Sequence, residues 1–226
     1  LTEVARQALD SGILSLATAI RNGQNIAIEQ LEGQYDDVVI LDGYHFQEHL
    51  EQSYNNVGLA ETLIITRSNG RTNMYNKGVR GSMLFYEDIL STADRIMVSR
   101  NNYFFSQEYE GLPFIANGDM FEIERLRNHR EMYGYHFVDA SLRGLDYEWE
   151  IDATILLESL TVPTPENAYK IQRELFDKIA LDYPEITNRK KLREMIYQSP
   201  YYNALQVRYA YAVTCHKAQG GQWQHV

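Results

Sequence analysis

The sequence has very little cysteine and no long apolar run, and both absences narrow the class of protein. Cys215 is its only cysteine, which excludes an internal disulfide and suits a reducing cytoplasm. No apolar run approaches the roughly 20 residues of a membrane-spanning helix, and no signal-peptide pattern is present. We therefore expect a cytoplasmic globular protein with no membrane partner. Because the chain begins with Leu1 and not with Met, we expect it to be a piece of a longer protein.

Positive charge is also scarce, since the formal net charge is −10. This acidic balance argues against a protein that coats nucleic acid through charge alone. Three basic clusters stand out, and each predicts either a local binding groove or a solvated face. They are Arg67, Arg71, Lys77 and Arg80; Arg125, Arg127, His129 and Arg130; and Arg189, Lys190, Lys191 and Arg193. For the third cluster the solvated face is the better interpretation.

The first part of the chain alternates between short apolar runs and stretches with helical periodicity. Predicted helices cover residues 9–22, 44–57 and 69–80, and predicted strands cover residues 38–41 and 63–65. Asp10 or Ser11 is the candidate cap of the first helix. Such alternation is typical of a parallel, three-layer α/β sheet.

From about Asp94 the pattern changes to aromatic-rich, alternating strands without helices between them. These strands cover residues 95–100, 114–126, 133–142 and 147–157. They predict a small antiparallel barrel or sandwich. Two amphipathic helices follow at residues 166–182 and 188–198, the first starting next to Pro165.

The apolar run at residues 207–213 predicts a return to the parallel sheet and ends abruptly in polar side chains. In open α/β sheets, ligands bind at the carboxyl ends of strands. Thr214 and His216 can both donate hydrogen bonds to phosphate oxygens, and Lys217 adds charge. Gly220 permits unusual backbone angles and close approach of a ligand. The plainer alternative is a polar turn after a buried strand.

Four segments together resemble the second motor domain of superfamily 1 helicases, in the RecD-like branch. They are residues 1–13, residues 63–80, the paired segments 94–103 and 115–119, and residues 211–223. The resemblance implies an α/β fold in which a RecA-like parallel sheet is interrupted by an SH3-like antiparallel β-barrel. It divides the chain into a first motor part (1–92), the barrel (93–162), a helical connection (163–200) and a second motor part (201–226).

The resemblance also assigns roles in ATP hydrolysis. It makes Arg6 an arginine finger, a guanidinium that stabilises the negative charge of the transferred phosphoryl group. Gln7, Gly220 and Gln222 would contact ATP, with Gln222 standing where the family often has an acidic residue. The alternative for Arg6 is an exposed arginine at a helix end.

The resemblance implies that Thr214, His216 and Lys217 contact single-stranded DNA. Arg67 and Asn69 are further candidates for contact with a DNA phosphate, because they follow the predicted strand at residues 63–65. Asn69 has an equally weighted alternative, as the cap of the next helix. The loop at residues 101–111 is a further candidate for contact with the DNA strand. Tyr103 or Phe104 could stack on bases there, whereas the alternative, which is the commoner role of such aromatic residues, is to form part of the barrel core.

A complete motor also needs a phosphate-binding glycine loop, and the sequence contains none. The resemblance therefore assigns ATP and Mg²⁺ to an upstream motor domain of the same chain, and this piece alone should not hydrolyse ATP. Two other interpretations stay open: a non-catalytic DNA-binding or regulatory module, and the helicase subunit of an exodeoxyribonuclease complex with a nuclease partner.

No metal site or catalytic thiol is predicted within the piece. His45 and His49 have helical spacing but no evident third ligand, so a solvent-facing pair is expected. Cys215 is expected to be a small core residue.

Overall fold

The computed structural model describes residues 11–27, 31, 33–145, 149–161 and 165–226. The chain divides into two compact units, Leu1–Ser53 and Tyr54–Val226. The helices of the described part are α1 (Gly12–Arg21), α2 (Phe46–Val57), α3 (Asn69–Gly78), α4 (Pro165–Ala180) and α5 (Arg189–Tyr197). Its strands are β1 (Ile64–Thr66), β2 (Arg95–Val98), β3 (Met120–Met132), β4 (Tyr135–Gly144), β5 (Glu150–Leu156), β6 (Val207–Tyr209) and β7 (Ala212–Thr214). None of these helices is long and apolar enough to cross a membrane.

The start of α1 confirms the predicted cap. The Ser11 hydroxyl accepts a hydrogen bond from the Leu14 N–H at 3.3 Å, as an N-cap serine does. That hydroxyl also donates to Asp37 at 2.6 Å, and the Gly12 N–H donates to the same carboxylate at 2.8 Å. The hydrogen bond from Ser11 lowers the pKa of Asp37, which places a negative charge at the positive end of the helix dipole.

The predicted strand at residues 38–41 is wrong. This segment belongs to no helix or strand, and the side chains of Val39 and Ile40 are 65% and 41% exposed. A β-strand is stable only when a neighbour satisfies its backbone groups, and no described residue pairs with this segment.

The parallel sheet of the described residues has two strands, β1 and β7, that lie far apart in sequence. Their register places Ile64 opposite Ala212 and Thr66 opposite Thr214, and α3 packs against both strands. Next to β1, the Leu63 N–H donates to the carbonyl of His225 at 3.0 Å. The predicted α/β class is therefore confirmed in its coarse form, as mixed α/β with a small parallel sheet.

The second sheet is antiparallel, in the order β5-β4-β3-β2-β6. Its buried face forms the largest core cluster, in which Ile96, Ile123 and Leu142 are fully buried. The described strands form no closed barrel, although a single bridge between Ile155 of β5 and Leu205 brings the two ends of the sheet together. The antiparallel region between the two parallel strands is thus confirmed.

One predicted strand, at residues 207–213, is divided between the two sheets. Its first half, β6, pairs with β2, and its second half, β7, pairs with β1. The buried side chain of Asn76 satisfies the backbone at the break. Its Nδ2 donates to the carbonyls of Tyr209 and Ala212 at 3.1 and 3.0 Å, and its Oδ1 accepts from the N–H groups of Tyr211 and Ala212 at 2.9 and 2.8 Å. The chain can leave one sheet for the other because these four groups stay bonded.

The two predicted helices of the connection are confirmed as α4 and α5. The first begins at Pro165, and the second is capped by Asn188, which accepts hydrogen bonds from two backbone N–H groups. The proposed boundaries at residues 92, 162 and 200 stay a prediction.

Candidate functional site

The carboxyl ends of β1 and β7 meet at one edge of the parallel sheet. Thr66 and Thr214 end the two strands directly opposite each other, and the Cys215 N–H donates to the Thr66 carbonyl at 3.0 Å. Arg67 follows β1 and His216 follows β7, and both side chains are exposed. The structure therefore brings together two pairs of residues, Thr66 with Arg67 and Thr214 with His216, that lie almost 150 positions apart in the sequence. We call this the β1/β7 edge.

Helix α3 begins at the same edge. Ser68 is its N-cap, since the Ser68 hydroxyl accepts from the Arg71 N–H at 3.4 Å. Asn69 is therefore the first helical residue and not the cap, and its side chain is exposed. Behind them, the buried hydroxyls of Thr66 and Thr72 lie 2.6 Å apart in a hydrogen bond. The β1/β7 edge thus combines the positive end of a helix dipole with exposed donors, the arrangement that favours anions.

Lys217 lies in the turn after β7 and leads away from this edge. Its N–H donates to the Thr214 carbonyl at 2.8 Å, and its ammonium donates to Asn117 Oδ1. Burial lowers the pKa of Lys217, with a smaller contribution from the charge of Arg208. The Asn117 N–H in turn donates to Asn101 Oδ1 at 2.8 Å. A hydrogen-bonded chain therefore joins the turn after β7 to two loops of the antiparallel sheet.

The last residues turn back on the parallel sheet. Gly220 has a φ of +94°, in the region that favours glycine, as predicted for this position. Gly221 lies against the ring of Trp223, which leaves no room for a Cβ. Trp223 packs on the cluster that contains Leu63 and Val213, whereas Gln222 is exposed. Arg6 and Gln7 lie outside the described residues.

A polar groove with a cavity volume of about 650 Å³ is lined in part by Asn117, the residue that Lys217 contacts. It is lined by the loop after β2, the turn at Asn117, helix α4 and the segment before and within β6. Its side chains include Arg100, Asn101, Tyr103, Tyr169, Gln172 and Arg208. Asn101 and Tyr103 belong to the loop predicted to contact a DNA strand, whereas Phe104 lines a different cavity. We call this feature the Arg100/Arg208 groove.

The first two basic clusters of the sequence each include an arginine that is held by an ion pair with two hydrogen bonds. Arg80 is buried and bonds Asp94 through two nitrogens at 2.8 and 2.7 Å. Arg130 pairs in the same way with Asp139 at 2.7 Å for both bonds. The first two clusters are therefore not continuous binding surfaces, because part of each stabilises the fold. The third cluster is exposed on α5, as predicted.

Sequence reasoning missed a buried network around Asp94. Besides Arg80, the Asp94 carboxylate accepts from the hydroxyl of Tyr211 at 2.7 Å and from the Ser91 N–H at 2.8 Å. The Arg80 guanidinium also lies 4.4 Å from the ring centre of Tyr209. This network fixes the segment after α3 against the start of β2. In the sequence, this network is marked only by the charge of Asp94 just before an apolar strand. Nothing in the sequence identifies Arg80 as its partner.

Cys215 is exposed and not a core residue, which corrects the prediction. The reason is that β7 ends at Thr214, so the in-and-out alternation of the strand no longer applies one residue later. Its thiol lies 3.3 Å from the Thr66 carbonyl. Among the described residues, no three His, Cys, Asp or Glu side chains are grouped to hold a metal ion.

Comparisons with known proteins do not assign a family. No protein-family model matches the chain, and no curated protein matches it.

Proposed function

We propose that this chain is the C-terminal part of an ATP-dependent DNA helicase or translocase. In this proposal it forms one wall of an ATP cleft and part of the track for single-stranded DNA. The finer fold belongs to the same proposal: a RecA-like second motor domain with an SH3-like insertion between β1 and β7. The observation that supports it most is the parallel register of Thr66 with Thr214, because it aligns the two polar segments that the helicase resemblance needs on one sheet edge.

The β1/β7 edge suits phosphate groups of a DNA strand. Arg67 and His216 are exposed there, and Asn69 stands in the first turn of α3. Guanidinium, imidazole and helix N-terminal groups all donate to phosphate oxygens. Thr214 is half-buried at the end of β7, where its hydroxyl supplies a further donor. Contacts of this kind position a DNA strand without reading its sequence, as a translocating motor requires.

The ATP side of the proposal depends on parts beyond the described residues. Arg6 would act as the arginine finger, with Gln7, Gly220 and Gln222 beside the nucleotide. An upstream domain with a phosphate-binding loop would hold ATP and Mg²⁺, because the loop is absent from this sequence. Arg6 would then stabilise the transition state from the opposite wall of the cleft.

ATP turnover by the complete protein, measured with and without single-stranded DNA, tests whether Arg6 contributes to hydrolysis of ATP that an upstream domain binds. Arg6→Ala should lower the stimulated kcat by about 10³-fold or more, the usual contribution of an arginine finger, while binding of the DNA strand stays unchanged. Arg21→Ala is the matched control, since Arg21 is an exposed arginine in the last turn of α1. The 226-residue chain should hydrolyse no ATP by itself.

Two results would contradict the proposal. Normal turnover of the Arg6→Ala protein would show that Arg6 is an ordinary surface arginine. Robust DNA-stimulated turnover by the 226-residue chain would show that the catalytic parts are not upstream. A complete protein that binds single-stranded DNA but hydrolyses no ATP would instead support the non-catalytic module.

A further inference from the structure

The ammonium group of Lys217 carries a positive charge that is only partly compensated. Its hydrogen-bond partner is the neutral side-chain oxygen of Asn117, although an ammonium has three donors. Among the residues that the structure describes, no carboxylate forms an ion pair with it. Burial is the main cause that lowers the pKa of Lys217, because the charged form is less stable away from water. An anionic partner would therefore stabilise this side chain more than its present partner does.

The backbone of Lys217 is fixed beside the β1/β7 edge. The N–H groups of Lys217 and Ala218 both donate to the carbonyl of Thr214, at 2.8 and 3.1 Å, and Thr214 ends β7 at that edge. A lysine side chain is a charge on a flexible four-carbon stem. The ammonium can therefore change partners by rotation of the side chain, without any movement of the turn.

The turn that carries Asn117 is held by backbone hydrogen bonds that do not involve Lys217. The Asn117 N–H donates to Asn101 Oδ1 at 2.8 Å, and the Gly118 N–H donates to the carbonyl of Val98 at 2.8 Å. Loss of the contact with the ammonium would leave both bonds in place. The contact between Asn117 and Lys217 can therefore form and break while the turn stays folded.

A phosphate group is a stronger partner for this ammonium than the Asn117 amide. A phosphate oxygen carries a negative charge, whereas Asn117 Oδ1 carries only a partial one, so the coulombic attraction favours the phosphate. This attraction increases where water is excluded, and Lys217 is half-buried. Because the Asn117 contact directs Lys217 away from the β1/β7 edge, the amide and a ligand at that edge compete for one ammonium.

We propose that the contact between Asn117 and Lys217 is autoinhibitory. It keeps the Lys217 charge away from the β1/β7 edge until an anionic ligand at that edge displaces Asn117. The inference rests on the proposed function for the ligand, which is a phosphate group of single-stranded DNA. It adds that the antiparallel sheet regulates binding at the parallel sheet, since Asn117 belongs to the turn before β3.

Fluorescence anisotropy of a labelled thymidine oligonucleotide with the 226-residue chain tests the proposal. Asn117→Ala should tighten binding about 2-fold to 10-fold, the range for one net hydrogen bond, because the competing acceptor is removed. Asn117→Asp should weaken binding by a similar factor, since a carboxylate attracts Lys217 more strongly than an amide. Asn55→Ala and Asn55→Asp are the matched controls, because Asn55 is exposed on α2. The second control also measures the effect of one added negative charge.

Two further measurements identify Lys217 as the group for which Asn117 competes. In a Lys217→Gln background, Asn117→Ala should leave the affinity unchanged, because the amide then has no ammonium to bind. The side-chain amide signal of Asn117 in the NMR spectrum should shift when the oligonucleotide binds the wild-type chain. The same signal should keep its position when the oligonucleotide is added to Lys217→Gln.

The proposal is overturned, and the proposed function is left intact, if Lys217→Gln weakens binding while neither Asn117 variant changes it. It is also overturned if Asn117→Ala changes the affinity equally with and without Lys217. If neither the wild type nor Asn117→Ala binds the oligonucleotide, the proposed function fails together with the inference.

Discussion

Asn76 is the residue on which the junction of the two sheets depends most directly. It is 2% exposed and bonds four backbone groups at the break between β6 and β7. Asn76→Ala would leave those buried groups without partners and open a cavity. We expect the free energy of unfolding to fall by about 3 kcal/mol, measured by urea denaturation.

Asn73→Ala is the matched control for this prediction. Asn73 lies on the same helix, but its side chain is only half-buried, so the same substitution should cost less than about 1 kcal/mol. If the two variants lost equal amounts of unfolding free energy, helix propensity, and not the loss of hydrogen bonds at the sheet junction, would explain the destabilisation.

The sequence could not have predicted this role. Asn76 has the spacing of an ordinary helix residue, and its backbone partners lie more than 130 positions later. The same holds for Arg80, which the sequence groups with other basic residues and the fold pairs with Asp94. Local patterns predict which residues are polar, whereas the partner of a buried polar group depends on tertiary contacts.

At the scale of elements, the β3–β4 hairpin carries an acid-sensitive ion pair. The register of the two strands shifts between Arg127 and Arg130, and Arg130 bonds both carboxylate oxygens of Asp139 on β4. Hydrogen bonds from Arg130 are the main cause that lowers the pKa of Asp139 from 3.8 to about 2. The ion pair therefore holds the irregular part of the hairpin in place.

The pH dependence follows from the sign of that shift. A carboxylate whose pKa is lower in the folded state stabilises the fold above its unfolded pKa, and this contribution disappears as the pH falls through the folded value. We expect about 2 kcal/mol to be lost between roughly pH 4 and pH 2, as read from urea midpoints. Asp139→Asn should be less stable at pH 5 and should lose less stability over that acid range.

Asp152→Asn provides the control for the hairpin. Asp152 pairs with Arg127, but its side chain is 64% exposed, and such surface pairs contribute about 0–1 kcal/mol. Its acid profile should match that of the wild type. If Asp139→Asn also keeps the wild-type profile, the Arg130 pair is not the source of the acid sensitivity.

Helices and strands were predictable from the sequence where hydrophobic periodicity agreed with capping residues at the ends of the element. Helices α1, α4 and α5 have amphipathic spacing, and two of them carry capping residues, Ser11 and Asn188. The run at residues 38–41 is equally apolar, yet it forms no strand, because apolar composition does not supply a pairing partner. The run at residues 207–213 is extended as predicted, but it is divided between two sheets at a break where Asn76 bonds the backbone.

At the scale of the molecule, the parts of the candidate site differ in how far the sequence predicted them. The β1/β7 edge could be anticipated, since polar residues directly follow two apolar runs. The Arg100/Arg208 groove could not, because its lining comes from four separate segments between residues 99 and 208. Arg100 and Arg208 belong to none of the basic clusters of the sequence. They line one groove because β2 pairs with β6.

Salt provides the test at this scale, because an acidic molecule can bind nucleic acid only through a local group of cations. Arg67 at the β1/β7 edge, Lys217 in the turn after β7 and Arg100 in the groove give three candidate phosphate contacts. For a single-stranded nucleic acid, each contact contributes about −0.7 to the slope of log affinity against log salt, so a slope of about −2 is expected. Lys217→Gln should make the slope less negative by about 0.7, whereas Lys190→Gln on the exposed face of α5 should leave it unchanged. A slope near zero in the wild type would mean that phosphates do not contact these cations, and would remove the electrostatic basis of the track.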